Sequence, residues 1–345
     1  MKRESGFTLV ELMVAIALSL VLMAGAMTLF YSSRLSYQAT DESSRIQETG
    51  RMALELMLRD IRNAGWQGCS RDVPVSNVLI GADEVLWNFA EPVGGFDVDA
   101  ANSASWAPNL PAVVAGPDPL PGSDVLVVRG PRREARPLRT ITEMTSGTQA
   151  IEAEYFNNPA PIAAGDVVQI VDCKAIAWFQ ASGYTSAGEV TRAVGGGADG
   201  TNSSLDLGFG FREGAELVPV ETVIYYVAAG ERGGPALFRI AGIAPPVEVF
   251  DGVEGLQVLY GIDDNADFGV DRYIDAAAVA GMPPEDRAQK VIAVDVAMLV
   301  RGPDEQGVNV DTRDYDLLGV NYAAGGDRRR REIYAATATL RNRVQ

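Results

Sequence analysis

Between Phe7 and Tyr31 the chain is apolar or uncharged at every position except Glu11. A run of that length is what a helix needs to cross a bilayer. A lone carboxylate near its start is costly there, so it needs a partner and marks a functional position. Beyond Tyr31 the pattern becomes periodic. Ile46, Gly50, Ala53, Met57 and Ile61 recur at helical spacing and make one apolar face, widened by Leu54 and Leu58. Arg51, Glu55 and Arg59 alternate in sign on another face. No proline interrupts residues 32–64, and Gly65 fits a helix C-cap. One helix is predicted over residues 7–64, about 87 Å long at 1.5 Å per residue. No soluble single domain needs that length.

After Gly65 prolines and glycines become frequent, and short β-rich runs appear. These are Val125–Arg129, Val167–Val171, Val220–Val227, Leu256–Tyr260, Val291–Val300 and Ile333–Leu340. Within Val291–Val300 the alternate set Ile292, Val294, Val296, Met298 and Val300 is uniformly apolar and is expected to face the core. This run and Ile333–Leu340 read as neighbouring antiparallel strands joined by the long polar loop Gly302–Arg331. Residues 83–122 have little periodicity and read as a long irregular insertion. The expected fold class is α+β, a long helix packed on an antiparallel β-rich head.

Composition narrows the chemistry. The chain has 345 residues, 47% of them hydrophobic, a net charge of −17 and no histidine. The acidic balance argues against nucleic acid, which needs a basic face. Lack of histidine excludes a Ser-His-Asp triad, a Cys-His pair and any His-ligated metal. No nucleophile elbow, P-loop or paired-acid motif is present, so no enzyme is expected. The two cysteines, Cys69 and Cys173, cannot make a four-ligand zinc site. In an exported head they are expected to form a disulfide, the alternative being two buried thiols.

The leader ahead of the apolar run is MKRESG, with Lys2 and Arg3 as its basic pair. The basic pair suits a cytoplasmic N-terminus. A secretory signal has its small residue after the apolar run; here Gly6 precedes it. GFTLVE at residues 6–11, with the basic leader and long helix, resembles the class III signal of type IV pilins and type II secretion pseudopilins. That resemblance implies cleavage after Gly6 by a prepilin peptidase, N-methylation of Phe7, and pairing of Glu11 with the terminal amine of a neighbouring subunit. Removing residues 1–6 takes away Lys2, Arg3 and Glu4, a net +1, leaving −18.

Four further stretches resemble the PilW group of type IV pilus minor pilins: RIQETGRMALELMLRDIRNAGWQGC, DCKAIAWFQ, LQVLYGID and GDRRRREIYAATATLRNR. The resemblance is discontinuous but spans nearly the whole chain. It implies a type IV pilin-like fold: leader 1–6, membrane or filament-core helix 7–31, amphipathic half 32–64 and extracytoplasmic head 65–345. The implied function is a structural subunit of the tip complex that primes pilus assembly. Its partners would be other minor pilins, a tip adhesin, the peptidase and the inner membrane. The head would lie in the periplasm before assembly and at the extracellular tip afterwards, with roles in adhesion and twitching motility. J-type pseudopilins of type II secretion and a membrane-anchored adhesin are the alternatives.

One segment could take a cation. In DDNADFGVDRYID, Asp263, Asn265, Asp267 and Asp271 fall at positions 1, 3, 5 and 9 of an EF-hand-like calcium loop. Phe268 stands where the turn glycine belongs, and Ile274 where the bidentate acid belongs. The alternative is a solvated acidic turn. No other cofactor is expected. Arg328–Arg331, and Arg132, Arg133, Arg136 and Arg139, read as exposed basic loops set against an acidic chain.

Overall fold

The computed structural model describes residues 8–68, 73–98, 103–156, 160–305 and 309–343. Helix α1 (Leu9–Asn63) runs 55 residues without a break. Ala64 ends it, and Gly65, at φ +59°, turns the chain away while its N–H donates to the Arg129 carbonyl at 2.9 Å. A left-handed residue here is cheap only for glycine.

The chain continues through β1 (Val75–Asn77), β2 (Val93–Phe96), β3 (Val125–Pro131), β4 (Leu138–Arg139), β5 (Ile151–Glu152), β6 (Val167–Val171) and β7 (Ile176–Gln180). Then come β8 (Gly183–Tyr184), β9 (Glu189–Thr191), β10 (Glu216–Ala229), β11 (Pro235–Ala241), β12 (Val247–Asp251), β13 (Val253–Ile262) and β14 (Arg272–Ile274). Short helices α2 (Ala276–Ala280) and α3 (Pro284–Lys290) lead into β15 (Val291–Arg301), β16 (Asp314–Leu317), β17 (Val320–Ala323) and β18 (Arg331–Thr339).

Among the described residues, nine strands form one sheet whose main path is β1-β7-β6-β10-β11-β12, with β3 and β4 also on β10 and β2 on β3. A second sheet has the order β14-β13-β15-β18. The periodic face of α1 packs where the two sheets meet. Ile46, Ala53, Met57 and Ile61 share one apolar core with Val128, Tyr225 and Leu237 of the first sheet and Leu256, Val296 and Met298 of the second. Gly50 is the closest approach, because a β-carbon there would run into the ring of Tyr334 on β18.

The antiparallel pairing of β15 with β18 is as expected, from Ala293↔Thr339 to Arg301↔Arg331. Both faces of β15 are buried, however. Val294, Val296, Met298 and Val300 of the expected set share the core with α1, where Val291 stands in place of Ile292, while Ala297 and Leu299 on the other face are covered by Tyr315, Leu317 and Tyr322 of the β16–β17 hairpin. That hairpin lies inside the expected polar loop 302–331, so the loop is a small covering layer.

Residues 83–122 need a similar correction. They supply β2, which pairs with β3, and Trp106, Leu110 and Val113 pack against Ile224, Tyr226 and Phe238. The buried Arg129 guanidinium donates to the Val85 carbonyl at 2.9 and 3.1 Å and to the Glu91 carbonyl at 2.9 Å. One cation thus anchors a stretch whose own sequence has no period. Burial lowers the Arg129 pKa to about 10.

The Gly50–Tyr334 contact has a measurable consequence. Gly50→Leu should destabilise the detergent-solubilised chain by about 1–3 kcal/mol, the usual cost of overpacking. Gly25→Leu, where no atom lies within 4 Å, should leave the melting temperature unchanged. Equal melts for Gly50→Leu and the parent would show that this contact does not hold the helix to the head.

Candidate functional site

Chemistry along α1 begins at its first turn. Thr8 is the N-cap, and Glu11, three residues on, completes a capping box. The Glu11 carboxylate accepts from the Thr8 N–H at 3.0 Å and from its hydroxyl at 2.9 Å, while the Glu11 N–H donates to Thr8 Oγ1 at 3.3 Å. Gly6 and Phe7 lie outside the described residues. Glu11 therefore has a local role, closing the helix end, beside any role toward another molecule.

From Leu12 to Ser33 no residue is charged, and every residue of this stretch is exposed. Leu22 is 75% exposed and Phe30 73%. The span is long and apolar enough to cross a membrane.

The second half is held by polar contacts as well as by its apolar stripe. Asp60 accepts from the Tyr225 hydroxyl at 2.6 Å and from Arg133 Nε at 2.9 Å, and Arg133 also donates to the Leu56 carbonyl at 3.0 Å. The Trp66 carbonyl, just past the helix, accepts from Gln169 at 2.7 Å. Burial, reinforced by the Asp60 charge, pushes the Tyr225 hydroxyl well above its usual range. Arg51, Glu55 and Arg59 are exposed, and no ion pair joins them among the described residues.

Glu42 lies in the same stripe, four residues before Ile46, and is buried. Its Oε1 has no hydrogen-bond partner among the described residues. Burial raises its pKa. Asp60 and Glu42 were not singled out from sequence, although each is an acid on or beside an apolar stripe, which is the signal that could have found them.

Cys69 lies outside the described residues, and no described cysteine is a free thiol. A β-carbon on Gly68, immediately before Cys69, would lie 3.1 Å from the Val171 side chain. The chain just before each of the two cysteines is therefore brought together.

The carboxylates of the acidic loop are bonded to groups of the loop itself. Both oxygens of Asp263 accept backbone N–H groups, of Ala266 at 2.6 Å and Phe268 at 3.0 Å. Those bonds hold Ala266 and Phe268 at φ +63° and +68°, which non-glycine residues rarely adopt. The Asn265 amide donates to Asp267 at 3.2 Å and to Asp271 at 3.3 Å, so a proton donor stands between those carboxylates. Among the described residues no group of three or more His, Cys, Asp or Glu is placed to hold a metal. Asp264, outside the expected set, pairs with Arg272 at 2.7 Å, and that hydrogen bond lowers its pKa.

The basic loops are also more than solvated charge. Arg331 is buried, with Glu254 at 2.6 Å, Asp327 at 2.8 Å and Asp311 at 3.7 Å. Arg132 pairs with Asp166 at 2.6 Å and Arg139 with Glu216 at 3.2 Å, while Arg136 lies over the Phe156 ring at 3.5 Å.

Comparison with known proteins agrees with this arrangement. Residues 224–342 match the family model of type IV pilus-assembly protein W, and residues 1–27 match the prokaryotic N-terminal methylation motif. The PilW match thus lies in the C-terminal part of the chain, and the match at the N-terminus is to the general methylation motif. Among solved structures, a type IV-like pilin from Thermus thermophilus aligns with 21% identity and a TM-score of 0.24, over 37% of this chain and 70% of that one. No curated protein matches the chain.

Because its oxygens are committed to the loop's own amides, the acidic turn should behave as a closed structural unit. Its melt should be the same in millimolar calcium and in chelator. Asp263→Ala should destabilise by about 1–3 kcal/mol by orphaning two N–H groups. A calcium-dependent rise in melting temperature that Asp267→Ala abolishes would reinstate the cation.

Proposed function

We propose that the chain is a structural minor pilin of a type IV pilus, part of the complex that primes assembly at the tip, and that it performs no catalysis. The observation that carries this reading is one continuous helix with two surfaces. Its first half is apolar and uncovered; its second half is built into a folded head. The prepilin-type methylation motif and the PilW match support it. On this reading the peptidase cuts after Gly6, the new Phe7 amine is methylated, and the first half of α1 passes from the inner membrane into the filament core. The head, periplasmic at first, becomes extracellular.

Cleavage creates a cation at Phe7, and helix-to-helix packing removes Glu11 from water. An unpaired buried charge of either sign costs several kcal/mol, so each group supplies what the other lacks. Intact-mass measurement of membrane-extracted protein should find a chain beginning at N-methylated Phe7. A chain that keeps MKRESG in cells with active peptidase would sink the reading. The local cap makes Glu11→Gln the informative substitution. Glutamine serves a capping box as glutamate does but has no charge. Glu11→Gln should insert normally yet lose co-purification with neighbouring subunits and reduce pilus number. Normal piliation in Glu11→Gln would mean that Glu11 only caps the helix.

We also propose a Cys69–Cys173 disulfide that ties the end of the helix to the β6–β7 turn. Support comes from the closeness of Gly68 to Val171 and the lack of a free described thiol. Non-reducing peptide mapping of exported protein should recover the linked pair, and two free thiols would refute it. Cys173→Ser should lower stability by roughly 2–5 kcal/mol, as loss of native disulfides commonly does.

A further inference from the structure

Three exposed arginines of the head gather at one place. Arg313, Arg328 and Arg330 line a groove against Leu35 and Ala39 of α1, with Val310 beside them and the acids Glu42 and Asp311 also in its wall. Arg331, the fourth residue of the basic run, is turned inward, and Arg329 anchors the loop by donating to the Gly302 and Pro303 carbonyls. The side chains of Arg313 and Arg330 stay 63% and 48% exposed despite their partners Asp311 and Glu332 at 2.9 Å. Arg328 is exposed and has no ion pair among the described residues. Val310 is 47% exposed, an apolar side chain among these cations.

The position of the groove along α1 gives it meaning. The uncharged stretch from Leu12 to Ser33 is about 33 Å long at 1.5 Å per residue, close to a hydrocarbon core of about 30 Å. Arg34 is the first charge after it. Leu35 and Ala39 therefore lie within roughly 8 Å beyond Arg34 along the axis, the depth of one headgroup layer. The chain as a whole is strongly acidic, with a net charge of −17, and is repelled by an anionic surface. A basic patch at that one level would set which part of the head can approach the bilayer.

We propose that this arginine groove docks the head on anionic phospholipid headgroups of the membrane that holds α1, fixing the orientation of the subunit before it is taken into a filament. Arginine matches phosphate oxygens by charge and by its forked donors, and Val310 can enter the apolar boundary beside them. The proposal rests on the membrane reading of Leu12–Ser33, which is tested separately by flotation of the full chain with vesicles.

The test uses the full chain in nanodiscs of phosphatidylcholine, with or without phosphatidylglycerol. Hydrogen exchange is followed over residues 309–313 and 326–331. Exchange should slow on the order of tenfold with phosphatidylglycerol, since each basic residue near an anionic surface adds roughly fivefold. High salt should remove the effect. The double variant Arg328→Ser/Arg330→Ser should lose it, and Arg328→Lys/Arg330→Lys should keep most of it, which separates lost charge from lost folding. Inorganic phosphate added to phosphatidylcholine discs should not reproduce it. Equal exchange in both lipids, the same lipid effect in the serine variant, or slowing by free phosphate would each overturn the proposal. So would a serine variant that loses only co-purification with a partner protein, because the patch would then face protein. A chain that does not float with vesicles fails at the anchor instead.

Discussion

The first half of α1 carries apolar surface that nothing in the molecule covers. Leu9, Leu22, Leu29 and Phe30 are each more than 70% exposed, and most of their neighbours are more than half exposed. Burying one such side chain is worth about 1.5–3 kcal/mol, so the whole run amounts to tens of kcal/mol. A folded domain is stable by only about 5–15 kcal/mol. Water is therefore not an acceptable solvent for this half, and lipid or other helices must supply its surroundings. The arrangement of the rest follows from that requirement. The head must be carried on the same helix without hiding its apolar surface, and the helix must be stiff enough to relate the two.

That stiffness comes from how the second half is held. The apolar stripe fits a seam between two sheets, Gly50 lets the helix lie directly on Tyr334, and Asp60 joins it to Tyr225 on β10 and to Arg133 in the turn after β3. The residue after the cap, Gly65, bonds to the β3 backbone. Packing fixes the distance of the helix from the sheets, and the directional bonds at Asp60 oppose rotation about its axis. A helix fixed in both respects presents its free half to the surroundings in one orientation relative to the head.

Local pattern made α1 legible because a helix is a local structure. Its apolar face was correct residue by residue, and its end at Asn63 lies one position from the expected one. The longer strands were readable for the same reason. What was hidden depends on distant partners. Residues 83–122 have no period because their apolar residues fill places in separate clusters, Trp106 and Leu110 beside β10 and β11, Phe89 beside Trp178 and Val93 beside α1, and because Arg129 bonds to carbonyls of the stretch, a contact no side-chain pattern announces. The second buried face of β15 depends on a hairpin formed inside a polar loop. The acidic turn had ligand-like spacing, but spacing does not say whether carboxylates point at a cation or at the loop's own amides, and here they take the amides.

Under the proposed role, the same apolar half is solvated by lipid before assembly and by neighbouring helices afterwards. Lipid tails are about as apolar as leucine side chains, so the exchange gains little from the hydrophobic effect that made the helix leave water. Preference for the filament must then come from features that lipid cannot match. Close helix packing is one, and pairing of polar groups is the other. In the apolar half of α1 only Glu11 carries a charge at neutral pH, and it lies at the end where cleavage would place a new cation. A carboxylate satisfied only by its own Thr8 keeps its charge without a counter-ion. A cation from a neighbour supplies that counter-ion only in the assembled state, so one side chain can decide between two environments that are otherwise nearly equal for the rest of the helix.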